Sequence, residues 1–115
     1  MRHYRIGGLL VESDLALQGA IPAPPGPPDA TIRLADVPRT LEDAPVRGPQ
    51  WMASGDRFLL SVPNVARFLI SGGREIAIEL APGAAAGDAQ VFLLGTGFGM
   101  LQLQRGRMVL HASAV

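Results

Sequence analysis

The most regular alternation of apolar and polar positions lies in the second half of the chain. Residues 57–62, 65–71 and 74–80 each read as a strand. Pro63-Asn64 and Gly72-Gly73 separate them, and both pairs have turn chemistry. Gly72-Gly73 can supply positive φ at both central positions of a type I′ turn. Three strands joined in this way predict an antiparallel meander. Nearer the N-terminus, His3 to Val11 reads as a first strand with Tyr4, Ile6, Leu9 and Val11 as its larger apolar members. The Gly7-Gly8 pair inside it predicts a bulge or a close approach by another backbone. Glu12-Ser13-Asp14 ends this strand, and Leu15, Leu17 and Ile21 form an apolar patch suited to tuck under a sheet. Asp29 to Ala35 alternates Ile32 and Leu34 around Arg33, the pattern of a strand with one wet face. Trp51 and Met52 predict a brief strand or anchoring contact, with Trp51 a plug at the edge of the core.

Prolines divide these elements. Ala20 to Pro28 holds five of the ten in the chain. Fixed φ and a missing donor exclude helix and central strand there, leaving an extended connector of polyproline character. A PxxP ligand for an aromatic groove is formally present, but spacing is the usual role of such a segment. Asp36 to Gln50, with Pro38, Pro45 and Pro49, is expected to be irregular and mobile. Ala81 to Gly87 predicts a flexible connector.

The segment from Asp88 to Gln104 has two readings. As a helix, it places Asp88 at the cap or in the first turn, where an anion is favoured. Val91, Leu94, Phe98 and Leu101 then share one face, with Phe92, Thr96, Met100 and Leu103 beside them. Gly95 and Gly99 stack on one stripe, and each costs up to about 1 kcal/mol against alanine in a helix interior. Packing demand, not propensity, would hold such a helix, buried on more than one side. The rival is a hairpin turning through Thr96-Gly97-Phe98 into alternating Leu101-Gln102-Leu103-Gln104. The helix has the better pattern. Met108 to Val115 then reads as a buried strand whose sheet neighbours lie beyond the last residue.

Composition narrows the classes. A chain of 115 residues makes one domain with a single core. Hydrophobic residues at 48% and charged residues at 17% exclude a disordered, highly charged tail. Ten basic residues balance ten acidic ones, which argues against an electrostatic grip on nucleic acid or anionic lipid. Every basic residue is Arg, and with abundant Ala, Gly and Pro this resembles the output of a high-GC genome. Without cysteine, neither a disulfide framework nor a thiolate metal site is possible. No secretory signal or membrane-length apolar run is visible, so a cytoplasmic location is expected, with no membrane partner.

Candidate chemistry is sparse. Arg67, Glu75 and Glu79 scatter along the meander, where a solvated face with weak ion pairs is favoured over an acid–base pair. His3 and His111 are far apart in sequence, His3 has no visible partner, and no clustered carboxylates accompany them, so metal binding is improbable. There is no nucleophile–base pair and no phosphate-cradling loop. Gly95 to Gly99 is glycine-rich, but the chain contains no lysine and so no Walker A motif.

Several stretches, taken in order, carry a resemblance. They are Glu12-Ser13-Asp14, Asp29-x-x-Ile32, Arg74-Glu75-Ile76, Val91-Phe92-Leu93-Leu94-Gly95, Gln104-Arg105-Gly106 and Leu110-His111-Ala112-Ser113-Ala114-Val115. The chain is similar along its whole length to the N-terminal region of HPr-kinase-related proteins, bacterial P-loop serine kinases akin to HPr kinase/phosphorylase. The distinctive part is short, the Gln104-Arg105-Gly106 and Leu110–Val115 pieces. Versions of that family sit beside peptide-maturation genes. The resemblance implies that residues 1–107 form a non-catalytic module and residues 108–115 the first strand of a kinase core. A second strand and the Walker-type loop would follow in that core. ATP and Mg²⁺ are implied for the full-length kinase, and none of the loop that binds them lies in this chain. His111 looks equivalent to the histidine that precedes the phosphate loop in that family, where it is assigned to the active site. An imidazole there could donate a hydrogen bond to a γ-phosphate or move a proton near neutral pH. The other reading of His111 is a histidine hydrogen-bonded within a strand. Ser113 shares its strand face and carries no assigned role.

The expected fold is therefore α+β, an antiparallel meander sheet of about five strands with one main C-terminal helix packed on it and a final strand belonging to the kinase core. The expected function is substrate recognition or regulation in an ATP-dependent kinase that phosphorylates a protein or peptide serine. The expected partners are the missing kinase core, the protein or peptide substrate, and a second copy. The alternative is a free-standing adaptor that completes a partner's sheet through residues 108–115.

Overall fold

The computed structural model describes residues 2–41 and 46–113, with side chains to Gly106. Among these residues, nine strands and one interrupted helix make an α+β fold. The strands are β1 (Arg2–Ile6), β2 (Leu9–Ser13), β3 (Ile21–Pro22), β4 (Ala30–Leu34), β5 (Val46–Arg47), β6 (Trp51–Ser54), β7 (Arg57–Val62), β8 (Ala66–Ser71) and β9 (Glu75–Leu80). The helix comprises α1 (Ala86–Phe92), a π turn (Leu93–Gly97) and α2 (Phe98–Ser113). All strands lie in one sheet, in the order β3-β1-β2-β4-β9-β8-β7-β6-β5. The five-strand antiparallel expectation is thus met only in its meander. The sheet has nine strands and is mixed, because β4 runs parallel to both β2 and β9. β4 joins an N-terminal antiparallel group to the C-terminal one. A short edge strand with a proline, β3, closes one side, where a missing donor discourages further pairing.

Gly7-Gly8 is a hairpin turn, not a bulge. Both glycines take positive φ (55° and 81°), and Ile6 pairs directly with Leu9. The single strand expected over residues 3–11 is therefore two, β1 and β2. Gly72 and Gly73 likewise adopt the positive φ expected of them. Arg74 nevertheless follows as a third loop residue, since Ser71 pairs with Glu75. That extra residue keeps Phe68, Ile70, Ile76 and Ile78 on one face, all fully buried. A strict two-residue loop would have turned one strand's apolar set to solvent.

The apolar face of the sheet carries Tyr4, Val11, Ile32, Phe58, Phe68, Ile70, Ile76 and Ile78, and the helix covers it with Ala89, Leu93, Phe98 and Leu101. Leu15 and Leu17 fill the same core, whereas Ile21, expected beside them, is exposed in β3. Trp51 stacks on Phe58 with ring centroids 5.7 Å apart, as a plug at the core edge. The opposite face holds a smaller apolar group, Val37, Leu41 and Leu59, with Met52, Leu69 and Ala77 against it. The front half of the segment expected to be mobile is therefore packed down through Val37 and Leu41, and residues 42–45 lie outside the described residues.

The helix is the correct alternative for residues 88–104, but its inward face differs from the expected one. Val91 is 71% exposed, and Leu93 occupies the core in its place. A π turn takes in one residue more than an α turn, which rephases the apolar stripe so that Ala89, Leu93, Gly97 and Leu101 line up inward. Polar clamps hold the helix at two points. The Gln90 amide exchanges two hydrogen bonds with the Gln18 backbone, at 2.7 and 3.1 Å. In the middle of α2, the Gln104 amide accepts from Gly73 N–H (2.8 Å) and donates to the carbonyls of Asp56 (2.9 Å) and Ile70 (3.1 Å). Arg105 donates to the carbonyls of Gly73 (3.0 Å) and Asp29 (3.3 Å).

The expected strand over residues 108–115 is corrected as well. The helix runs through to Ser113, and residues 114 and 115 lie outside the described residues. A strand needs a neighbouring edge to satisfy its N–H and C=O groups, whereas a helix satisfies them internally. Met, Leu and Ala in this stretch also favour the helix intrinsically. Among the described residues, no helix is long and apolar enough to cross a membrane.

Candidate functional site

The face of the sheet opposite the helix is the polar one, and one row of it opens into a cleft. Cross-strand pairing sets Ser61 on β7 opposite Arg67 on β8, and Arg67 opposite Glu79 on β9. Each of these side chains points away from the helix because its sequence neighbours point toward it. Arg67 Nη2 lies 2.9 Å from Glu79 Oε1. The pair also grips the peptide of Val37. Glu79 Oε1 accepts from Val37 N–H at 2.7 Å, and Arg67 Nε donates to Val37 O at 3.3 Å. Two side chains thus supply the donor and acceptor that a neighbouring strand would have offered, and they fasten the segment from Asp36 to Leu41 to the sheet.

These contacts hold the Glu79 carboxyl below its ordinary value of 4.5. The Val37 N–H is the largest cause, followed by the hydrogen bond and the charge of Arg67, with Arg39 adding to them. Glu79 is accordingly an anion near neutral pH, unsuited to donate a proton. Beside this pair lies a cleft of about 450 Å³, walled by Arg39, Asn64 and Pro82 as well as by the Ser61–Arg67–Glu79 row. Pro63-Asn64 forms its lip as a tight turn closed by Val65 N–H to Val62 O at 3.0 Å. Asn64 takes φ of 63° there, a conformation asparagine tolerates. A second cleft of about 440 Å³ lies on the same sheet near Asp29, Thr31, Asp56 and Glu75.

The structure brings together two of the three charged residues singled out along the meander. Arg67 and Glu79 form an ion pair, the bland reading, while Glu75 lies beside the second cleft. His3 has a partner after all. It sits opposite Glu12 in the β1–β2 pair, with Nε2 3.4 Å from Glu12 Oε2. Period-two alternation carried that signal only once Gly7-Gly8 was known to be a turn. His111 and Ser113 fall in the backbone of α2, and their side chains lie outside those described. Arg39, Ser61 and Asn64 were missed. Ser61 could have been found by counting alternate positions back from Arg67 through the turn, whereas Arg39 comes from an irregular segment that carries no periodic signal.

No family model matches the chain, and neither the curated proteins nor the solved structures contain a match to it.

Proposed function

We propose that this chain is the non-catalytic, substrate-recognising or regulatory module of an HPr-kinase-like serine kinase, and that it works by docking against a P-loop core and a protein or peptide substrate. The observation that supports this best is the outer side of the helix. From Ala89 to Gln104 no side chain carries a charge. Val91 at 71%, Phe92 at 36% and Leu103 at 49% are exposed there. Gly95 and Gly99 face open space. A helix that needed only its own sheet would gain solubility from charges on this side, so an uncharged apolar side suits a further layer of polypeptide. In this reading the core holds ATP and Mg²⁺, since a chain without lysine cannot form the phosphate loop. His111 is the one residue proposed to reach that site from this chain, as a hydrogen-bond donor or proton carrier.

The reading is tested by the coding sequence beyond codon 115 and by its neighbours, which are expected to encode a core with a G-x-x-x-x-G-K-[ST] loop. With that core present, amides of residues 91–103 are expected to exchange with solvent more slowly than in this chain alone. Leu103→Asp is expected to remove that protection without unfolding the chain. Unchanged exchange, or no such core in either place, overturns the proposal.

A further inference from the structure

We infer that the cleft bounded by Arg39, Ser61, Asn64 and Arg67 binds a carboxylate side chain of an acidic peptide. Its charge can be summed from named groups. Arg39 and Arg67 contribute two positive charges, and Glu79 one negative charge. Glu79 also lines the cleft, but its Oε1 already accepts from Val37 N–H and Arg67, which leaves the cleft with one net positive charge. Arg67 is held in place through Nε and Nη2, which fixes the plane of its guanidinium before any ligand arrives. A guanidinium pinned in this way matches the two oxygens of a carboxylate and loses little side-chain freedom on binding. Arg39 is exposed at the rim and close enough to Glu79 to act on its charge, so it supplies the second cation. Ser61 and Asn64 add neutral donors, while Pro63 and Pro82 give apolar walls for the residues that flank the acidic one. The volume, about 450 Å³, suits one side chain and its neighbours, not a whole domain.

The proposal rests on the substrate-recognition reading only for the ligand being a peptide, and its test needs neither kinase core nor nucleotide. The probe is the peptide Gly-Glu-Glu-Gly, amidated at its C-terminus and labelled at its N-terminus with an uncharged fluorophore, with Gly-Gln-Gln-Gly prepared in the same way as the neutral twin, followed by anisotropy on the intact chain. The acidic peptide is expected to bind and the neutral one not to bind. Arg39→Gln is expected to weaken binding by roughly tenfold, as loss of one charge-assisted contact would. Arg57→Gln, on the same face but outside the cleft, is expected to change little, and added salt to weaken binding steadily. Inorganic phosphate serves as a competitor, and displacement of the peptide by phosphate at lower concentration than by acetate would reassign the cleft to phosphate. Equal binding of the two peptides, or full binding by the Arg39→Gln variant with its fold intact, overturns the inference. Such a failure leaves the kinase reading standing, because that reading depends on the opposite side of the molecule.

Discussion

Glycines do opposite work at different positions in this chain. Gly73 has φ of 65°, and a Cβ there would lie 2.7 Å from Arg105 Cγ and 3.1 Å from the Arg105 backbone nitrogen. The turn needs the left-handed conformation, and Arg105 on α2 needs the space. Gly73→Ala is therefore expected to destabilise the chain by about 1–3 kcal/mol, read as a lower urea midpoint. Gly99 lies in a helix with nothing near the Cβ it lacks. Gly99→Ala is expected to raise stability by up to about 1 kcal/mol in the isolated chain. The packing demand inferred for the helix glycines is not met inside this chain at Gly95 or Gly99. Nor is it met at Gly97, which lies inward, because a Cβ there would meet Leu93 and Ile76 at ordinary contact distance. Spacing in the sequence identified the stripe but could not tell its inner members from its outer ones.

At the scale of elements, two polar devices fasten pieces that the apolar pattern alone leaves loose. The first is the Arg67–Glu79 grip on Val37. Since folding lowers the Glu79 pKa, its contribution is present above the unfolded value near 4.5 and is lost as pH falls through the lower folded value. Glu79→Gln is expected to speed exchange of the Val37 amide at neutral pH and to remove this part of the acid sensitivity, as measured by exchange against a core amide such as Ile76. The second device is the Gln104 amide, which bridges three backbone groups on two turns and a strand. Gln104→Ala leaves Gly73 N–H without its partner and is expected to cost about 1–3 kcal/mol, seen as a lower thermal midpoint with fraying of α2. Neither device announces itself in the sequence. Both depend on residues about 30 or more positions apart that meet only after the sheet forms.

The whole molecule is a thin plate, 36 × 34 × 19 Å, with a sheet that differs on its two sides. One side is apolar and covered by the helix, and the other carries the segment from Asp36 to Leu41, packed on a smaller apolar group, together with the clefts. The meander was legible because turn residues and period-two alternation agree over residues 57–80. That agreement even contains the register. Apolar residues at even positions on both β8 and β9 require an odd-length loop, and the three-residue loop after Ser71 supplies it. The parallel placement of β4 was not legible, because a single five-residue strand has no local signal for which edges it will fill. The π turn was hidden for a related reason, since periodicity assumes one helical repeat and a single inserted residue breaks it. By itself the sequence determined the meander with its two separators, the proline spacer, and the absence of thiolate or phosphate-loop chemistry, and it favoured the helix over a hairpin, all of which follow from local geometry and residue type. Only the tertiary structure decided which edge β4 joins, which helix residues face inward, and that Arg39, Arg67 and Glu79 meet around one cleft. Those outcomes follow from competition among distant surfaces for the same buried area, and no local window of sequence contains both competitors.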